Sequence, residues 1–183
     1  NAIVVRNIIN TLNFFRDAPF DTLEINRNLF ININAMLAKE QALEVGKLRD
    51  GDVFIDCIKD PIKPPISSDL DRCLFDLDNC NSANYRSLIP ESFSKLARMQ
   101  PFFDGNKRSA LFICNVALIK KNLGIFFIKN ELYPEFQVLL TDFYTQNSKK
   151  LFDFLEKKCI YDHKAIIELK NEYKKISNRI CKV

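Results

Sequence analysis

Residues 96–115 read LARMQPFFDGNKRSALFICN. An acid, Asp104, stands before Gly105 and Asn106; a basic pair, Lys107 and Arg108, follows, and then a long apolar run begins. Within residues 110–119, ALFICNVALI, Asn115 is the one polar side chain. A helix that is apolar nearly all round is buried on every side, and this run is too short to span a membrane. It is expected to be the central helix of a bundle, closed by Gly124 in the left-handed conformation past its C-terminus. With Gly105 and Asn106 at its start, the first N–H groups have no partner in the helix and point outward. The helix dipole adds positive charge there, and Arg108 adds a forked donor that suits phosphate oxygens. Glycine lets the backbone approach such a group closely. Asp104 beside it suits a divalent cation. The same spacing also fits a plain Gly-Asn turn leading into an ordinary core helix.

Toward the N-terminus the chain changes character. Residues 46–67, GKLRDGDVFIDCIKDPIKPPIS, hold Asp50-Gly51, a β-prone run of Val53, Phe54, Ile55 and Asp56, then Asp60-Pro61 and Pro64-Pro65. Turn residues on both sides leave room for a strand of only a few residues, and prolines cannot donate within a sheet. A small hairpin with an open edge is expected, with strand confined largely to residues 51–66. Before it, Ile8, Ile9, Leu12 and Phe15 show helical spacing up to Arg16. Asp21 and Glu24 then give a D-x-x-E start signal for a helix running to about Lys39. After it, Ser67 or Ser68 is expected to cap a helix through Leu70, Cys73, Leu74 and Leu77, and another helix should run from about Pro90 to Met99. Amphipathic segments at 134–144, 149–158 and 163–179 complete one helical domain spanning 1–183.

Composition narrows the function classes. The chain has 183 residues, 47% of them hydrophobic, enough for one domain with a sizeable core. Four glycines and no tryptophan speak against a loop-rich or β-rich fold, and sixteen phenylalanines suggest an aromatic core. The net charge is +4, and the lysines of the last segment alternate with acids, so no face is focused for nucleic acid. Six cysteines without a CxxC pair and a single histidine, His163, speak against a zinc site. No run reaches membrane-spanning length and no signal peptide is visible, so a cytoplasmic protein with reduced thiols and no membrane partner is expected. His163 opens a late, polar helix and reads as a surface residue rather than a base.

The nine residues QPFFDGNKR, 100–108, resemble the signature of the Fic (Fic/Doc) family, H-P-F-x-D-G-N-[GK]-R. Pro101, Phe102, Asp104, Gly105, Asn106 and Arg108 match, and Lys107 matches a known variant. Residues 46–67 resemble the family's flap: a G-x-x-R step, a short hairpin, then a double proline. Residues 132–159 look like the family's closing helices. The resemblance implies an all-α, Fic-fold bundle around a buried central helix, with one small β-hairpin flap, as in cell-filamentation-type proteins. It implies transfer of AMP from ATP, or of a phosphate-containing moiety from another nucleotide, to a protein hydroxyl. In that scheme Gln100 occupies the base position, Asp104 places Mg²⁺, and Gly105, Asn106 and Lys107 bind phosphate oxygens. Arg108 holds the outer phosphates, and Val53, Phe54, Ile55 and Asp56 pair with an extended segment of the target protein.

Three departures matter. Gln100 replaces histidine, and an amide does not titrate near neutral pH. Lys107 replaces the commoner glycine, as in Doc-type members, some of which transfer phosphate. Leu111 falls where the family often has a second arginine. Weak transfer is therefore expected, with a catalytically silent nucleotide- and protein-binding module, or a Doc-like phosphotransferase or toxin, as the alternatives. The family's inhibitory segment, [ST]-x-x-x-E-[GN], has no match, so either residues before Asn1 or a separate chain would supply inhibition, or none is needed.

Overall fold

The structure, a computed structural model, describes residues 2–180 of the chain. Its helices are α1 (Ala2–Arg16), α2 (Arg27–Leu37), α3 (Ser67–Asp78), α4 (Tyr85–Met99), α5 (Asn106–Lys120), α6 (Tyr133–Gln146), α7 (Lys150–Lys158) and α8 (His163–Ile180). Two-residue strands β1 (Ile125–Phe126) and β2 (Ile160–Tyr161) pair antiparallel. The architecture is the all-α bundle that the periodicity predicts, and α5 runs through its centre. α5 packs chiefly on α4 and α2, and also on α3 and β1. Ala110, Ile113, Cys114 and Leu118 on α5 are wholly buried, and Phe30, Phe93, Phe102 and Phe126 are among the largest side chains sealed around it.

Burial of α5 is less complete than its sequence suggests. Ile119 is 45% exposed, and Leu111 and Phe112 face a groove of about 500 Å³ shared with Ile8, Leu12 and Phe15 of α1. The C-terminus of α5 also differs from expectation. Asn122, not Gly124, is the left-handed residue that closes the helix (φ 54°); Gly124, two residues on, also has positive φ (134°). Leu123 N–H then bonds the Leu118 carbonyl at 2.9 Å and Asn122 N–H the Ile119 carbonyl at 3.0 Å, a Schellman closure that asparagine tolerates.

Residues 51–66 form less strand than expected. Val53 and Ile62 make a single antiparallel bridge, with N–H to carbonyl distances of 3.1 and 2.8 Å, and the one named ladder is β1–β2 elsewhere. Pro61, Pro64 and Pro65 remove the donors that would extend the bridge. The half-buried alternation survives: Val53 and Ile55 turn inward, and Phe54 and Asp56 outward.

Several helix starts move. Asn26, not Asp21, caps α2, its side chain accepting the Leu29 N–H at 3.0 Å; residues 20–22 form a separate 3-10 turn. Ser67 is already inside α3, whose N-cap position is Ile66 without a side-chain cap. α4 begins at Tyr85 and carries Pro90 in its interior, because Ile89, Pro90 and Phe93 are all buried there and packing outweighs the lost backbone donor.

Candidate functional site

The site lies where α4 ends and α5 begins. Gln100 closes α4 in the left-handed region (φ 47°, ψ 59°), which turns the chain sharply into the loop. Gly105 stands at the N-cap of α5 with φ 76°. A Cβ there would lie 3.0 Å from the Asn34 amide nitrogen and 3.2 Å from the Ala38 methyl, so the conformation favours glycine and the space is tight for any other residue. A left-handed residue followed by a helical one turns successive N–H groups, those of Gly105, Asn106 and Lys107, toward one side, a concavity suited to an anion.

The loop is held by side chains that reach its backbone. Asn106, buried to 6% exposure, accepts from Phe102 N–H at 2.8 Å and donates to the Phe102 carbonyl at 2.7 Å. The same Nδ2 donates to Gln100 Oε1 at 2.8 Å, while Gln100 Nε2 donates to the Ala97 carbonyl at 2.5 Å. The Gln100 amide is thus engaged at both ends within the loop. Asn34 of α2 donates to the Asp104 carbonyl at 2.8 Å and to Ser109 Oγ at 3.2 Å, and accepts from Gly46 N–H at 3.0 Å.

Asp104 and Arg108 face each other at the loop's mouth. Asp104 Oδ1 accepts the Gly105 N–H at 2.5 Å, and its other oxygen pairs with Arg108 at 3.3 Å. Arg108 also donates to the Leu37 carbonyl at 2.8 Å. The acid therefore sits where an external anion would gain its contacts. The Asp104 side chain is 44% exposed, and among the described residues no group of three or more His, Cys, Asp or Glu gathers to cage a metal. A single carboxylate, part-exposed and paired only with Arg108 and one N–H, fits a magnesium ion that arrives with phosphate oxygens and water rather than one held by protein alone. Lys107 is exposed, and Leu111 lines the apolar groove beside α1.

Two residues outside the motif organise the site. Arg49 is 3% exposed, and burial pushes its pKa below the ordinary value against the opposing pull of Asp52. Its guanidinium donates to the carbonyls of Gly51 (2.6 Å), Ile62 (3.0 Å) and Lys63 (2.6 Å) on the flap, to Met99 (3.3 Å), and to Gln100. Its own N–H bonds the Pro101 carbonyl at 3.0 Å. Arg49 thus ties flap to loop, a role the G-x-x-R step marked without explaining. Asn34 carried no signal at all in an apolar helix stretch.

Other candidate groups lie elsewhere. His163 bonds the Asn122 carbonyl at 2.9 Å, past the far end of α5 and about 22 Å of helix from the loop. Arg86 pairs with Asp162 at 3.4 Å. Cys114 is wholly buried and its thiol is pushed well up by burial, so it is inert. Cys181 lies outside the described residues. No described helix is long and apolar enough to cross a membrane.

A helical bundle whose central helix starts from a left-handed glycine, with an acid and an arginine at that start, defines a class of all-α domains built around a loop–helix junction. Within that class the chain has the Fic fold. It is similar over 91% of its length to the N-terminal Fic domain of a cell filamentation protein, a VirB-translocated Bep effector, of Bartonella quintana with bound ADP, at 16% identity and TM-score 0.63, covering 85% of that chain. It is likewise similar to the BepC protein of Bartonella tribocorum with bound AMPPNP, at 16% identity and TM-score 0.59, over 87% of this chain and 83% of that one. A Fic domain containing signaling protein of Bacteroides thetaiotaomicron matches at 14% identity and TM-score 0.60, over 85% and 67%. No protein-family model matches the chain, and no curated protein matches it.

Proposed function

We propose that this chain binds a magnesium complex of ATP or another nucleotide at residues 104–108 and transfers AMP, or a phosphate-containing moiety, to a hydroxyl of a protein held along the flap. Transfer is slow, because Gln100 stands where a base is needed. The observation that carries this reading is the convergence of the Gly105, Asn106 and Lys107 N–H groups with Asp104 and Arg108 at the start of α5. It is supported by a fold shared with domains solved with ADP and AMPPNP.

Magnesium, when bound, supplies charge neutralisation on the phosphates. Asp104 would be the protein ligand that holds the ion, once its carboxylate is freed from the Gly105 N–H and Arg108. The Gly105 N–H and the Arg108 guanidinium would then be free to hold phosphate oxygens. Gln100 can hydrogen-bond a hydroxyl but cannot take its proton, and a positioned base typically contributes roughly 10²–10⁴-fold. On the flap, Phe54 and Asp56 point outward from an edge that can accept an extended segment by strand addition.

The engagement of the Gln100 amide by Ala97 and Asn106 favours a second reading, a silent module that binds nucleotide and target without turnover. Calorimetry with Mg-ADP and transfer of label from ATP separate the two. Gln100→His is expected to raise transfer by roughly 10²-fold, with the gain growing as pH rises through the imidazole range, since only the neutral ring accepts a proton. Labels on the α- and γ-phosphates distinguish AMP transfer from phosphate transfer. No Mg-ADP binding at millimolar concentration would sink both readings, and a histidine variant that binds yet stays inert would leave the silent module.

A further inference from the structure

Tyr144 of α6 is 6% exposed, and its hydroxyl is the one buried side-chain nitrogen or oxygen among the described residues that makes no hydrogen bond. Buried hydroxyls are nearly always paired, and an orphan one costs stability. Ring packing alone does not account for a tyrosine here. The surrounding core uses phenylalanine at Phe136, Phe143, Phe152 and Phe154, and the same ring without the oxygen would fill the space.

The hydroxyl lies against the head of the motif. Arg98, two residues before Gln100, stacks over the Phe143 ring at 5.4 Å and donates to Asn147 Oδ1 at 2.9 Å. These contacts fasten the last turn of α4 to residues on both sides of Tyr144. The polar side chains that bear on the phenol are the Gln100 amide, Cys57 of the flap and Arg98, and burial pushes its pKa above the ordinary value. The phenol therefore stays protonated and cannot be the missing base, but it can give or accept a hydrogen bond. The Gln100 amide comes near enough to the phenol to pull its pKa down against the effect of burial, yet it makes no hydrogen bond of good geometry with it, and its formed bonds go to Ala97 and Asn106.

We propose that Tyr144 is a positioning residue for the side chain at position 100: its buried hydroxyl is the partner that orients this group toward the acceptor, and it is left unpaired while Gln100 faces the loop. The proposal rests on the reading of position 100 as the place where the acceptor's proton is handled. It accounts for a tyrosine kept at some cost to stability, as at sites where function and stability compete.

A double-mutant cycle over positions 100 and 144 tests it. Tyr144→Phe alone is expected to raise the melting temperature, because an unpaired hydroxyl is removed. In the Gln100→His background the same change is expected to lower it. The ring of the introduced histidine, followed by NMR with His163 as internal reference, is expected to shift its pKa by about half a unit or more when Tyr144 becomes phenylalanine, the scale of one hydrogen bond. Transfer by Gln100→His is expected to fall about tenfold in the double variant while Mg-ADP affinity stays within about twofold. Equal changes in melting temperature in both backgrounds with an unmoved ring pKa would overturn the proposal, as would a Tyr144→Phe protein less stable than the parent. If Gln100→His does not fold, that last comparison still decides. Failure of Mg-ADP to bind would remove the nucleotide reading and leave the stability and pKa couplings as a separate result.

Discussion

The loop at residues 100–108 and the flap at residues 51–66 meet at Arg49 and are held by different kinds of bond. In the loop, buried amides reach the backbone: Asn106 clasps both polar groups of Phe102, and Asn34 holds the Asp104 carbonyl. In the flap, the Val53–Ile62 bridge and the Arg49 guanidinium carry the structure, and Phe54 stands 75% exposed. The two are in contact range, since a Cβ on Gly51 would lie 3.9 Å from the tip of Phe103. Bracing from within fixes the loop's N–H groups, as the proposed anion site requires. With a single bridge, the flap has the open edge that the proposed strand addition needs. The same domain therefore places an internally braced loop beside a flap held by a single bridge and Arg49.

Arg49→Ala should erase the contrast, because it loosens both regions at once. Charge-assisted bonds to buried carbonyls are lost, and a destabilisation of about 3–4 kcal/mol is expected in urea unfolding. A change below about 1 kcal/mol would mean that flap and loop stand without their common anchor. Asn106→Ala should strike the loop only. It leaves the Phe102 N–H and carbonyl unpaired, at about 2–3 kcal/mol of stability, and abolishes calorimetric nucleotide binding. Retained binding would show that the concavity keeps its shape without the clasp.

Arg108→Ala sharpens the comparison at the loop's mouth. Nucleotide affinity should weaken by about 1–3 kcal/mol, and stability should move much less, since the side chain is partly exposed and its pair with Asp104 is screened. Unchanged affinity would assign Arg108 to bracing rather than binding. The smallest effect is expected in the flap. Val53→Pro removes one bridge donor and should cost under about 1 kcal/mol, with Mg-ADP affinity unchanged. If nucleotide affinity fell with it, the two regions would be coupled more tightly than one arginine allows.

Legibility differs between these regions for the same reason. The Asp104-Gly105-Asn106 turn and the apolar run after it are local features, and they mark the start of α5 in the sequence. Val53 to Asp56 shows the alternation of a strand, yet only one bridge forms, because a strand is completed by a partner and Ile62 alone provides it. The caps of α2 and α3 moved since Asn26, Asp21, Ser67 and Ser68 all carry the right chemistry, and the path of the chain around them selects among the choices. Pro90 looked like a helix start and became a buried interior residue, a case where tertiary packing overrode a local rule.

The sequence by itself determined that this is a helical domain around a buried α5, that this helix starts from a Gly-Asn turn between an acid and a basic pair, and that position 100 has no titratable group. Those properties follow from periodicity, from glycine's access to positive φ, and from side-chain chemistry within nine residues. Only the tertiary structure decided that Asp104 fills the concavity beside Arg108, that Gln100 turns to Asn106, that Arg49 and Asn34 brace the loop, and that the Tyr144 hydroxyl lies unpaired behind it. Arg49 meets Gln100 across 51 positions and Asn34 meets Asp104 across 70. Such bonds exist only once packing has brought distant backbone groups together and removed the water that would otherwise satisfy them.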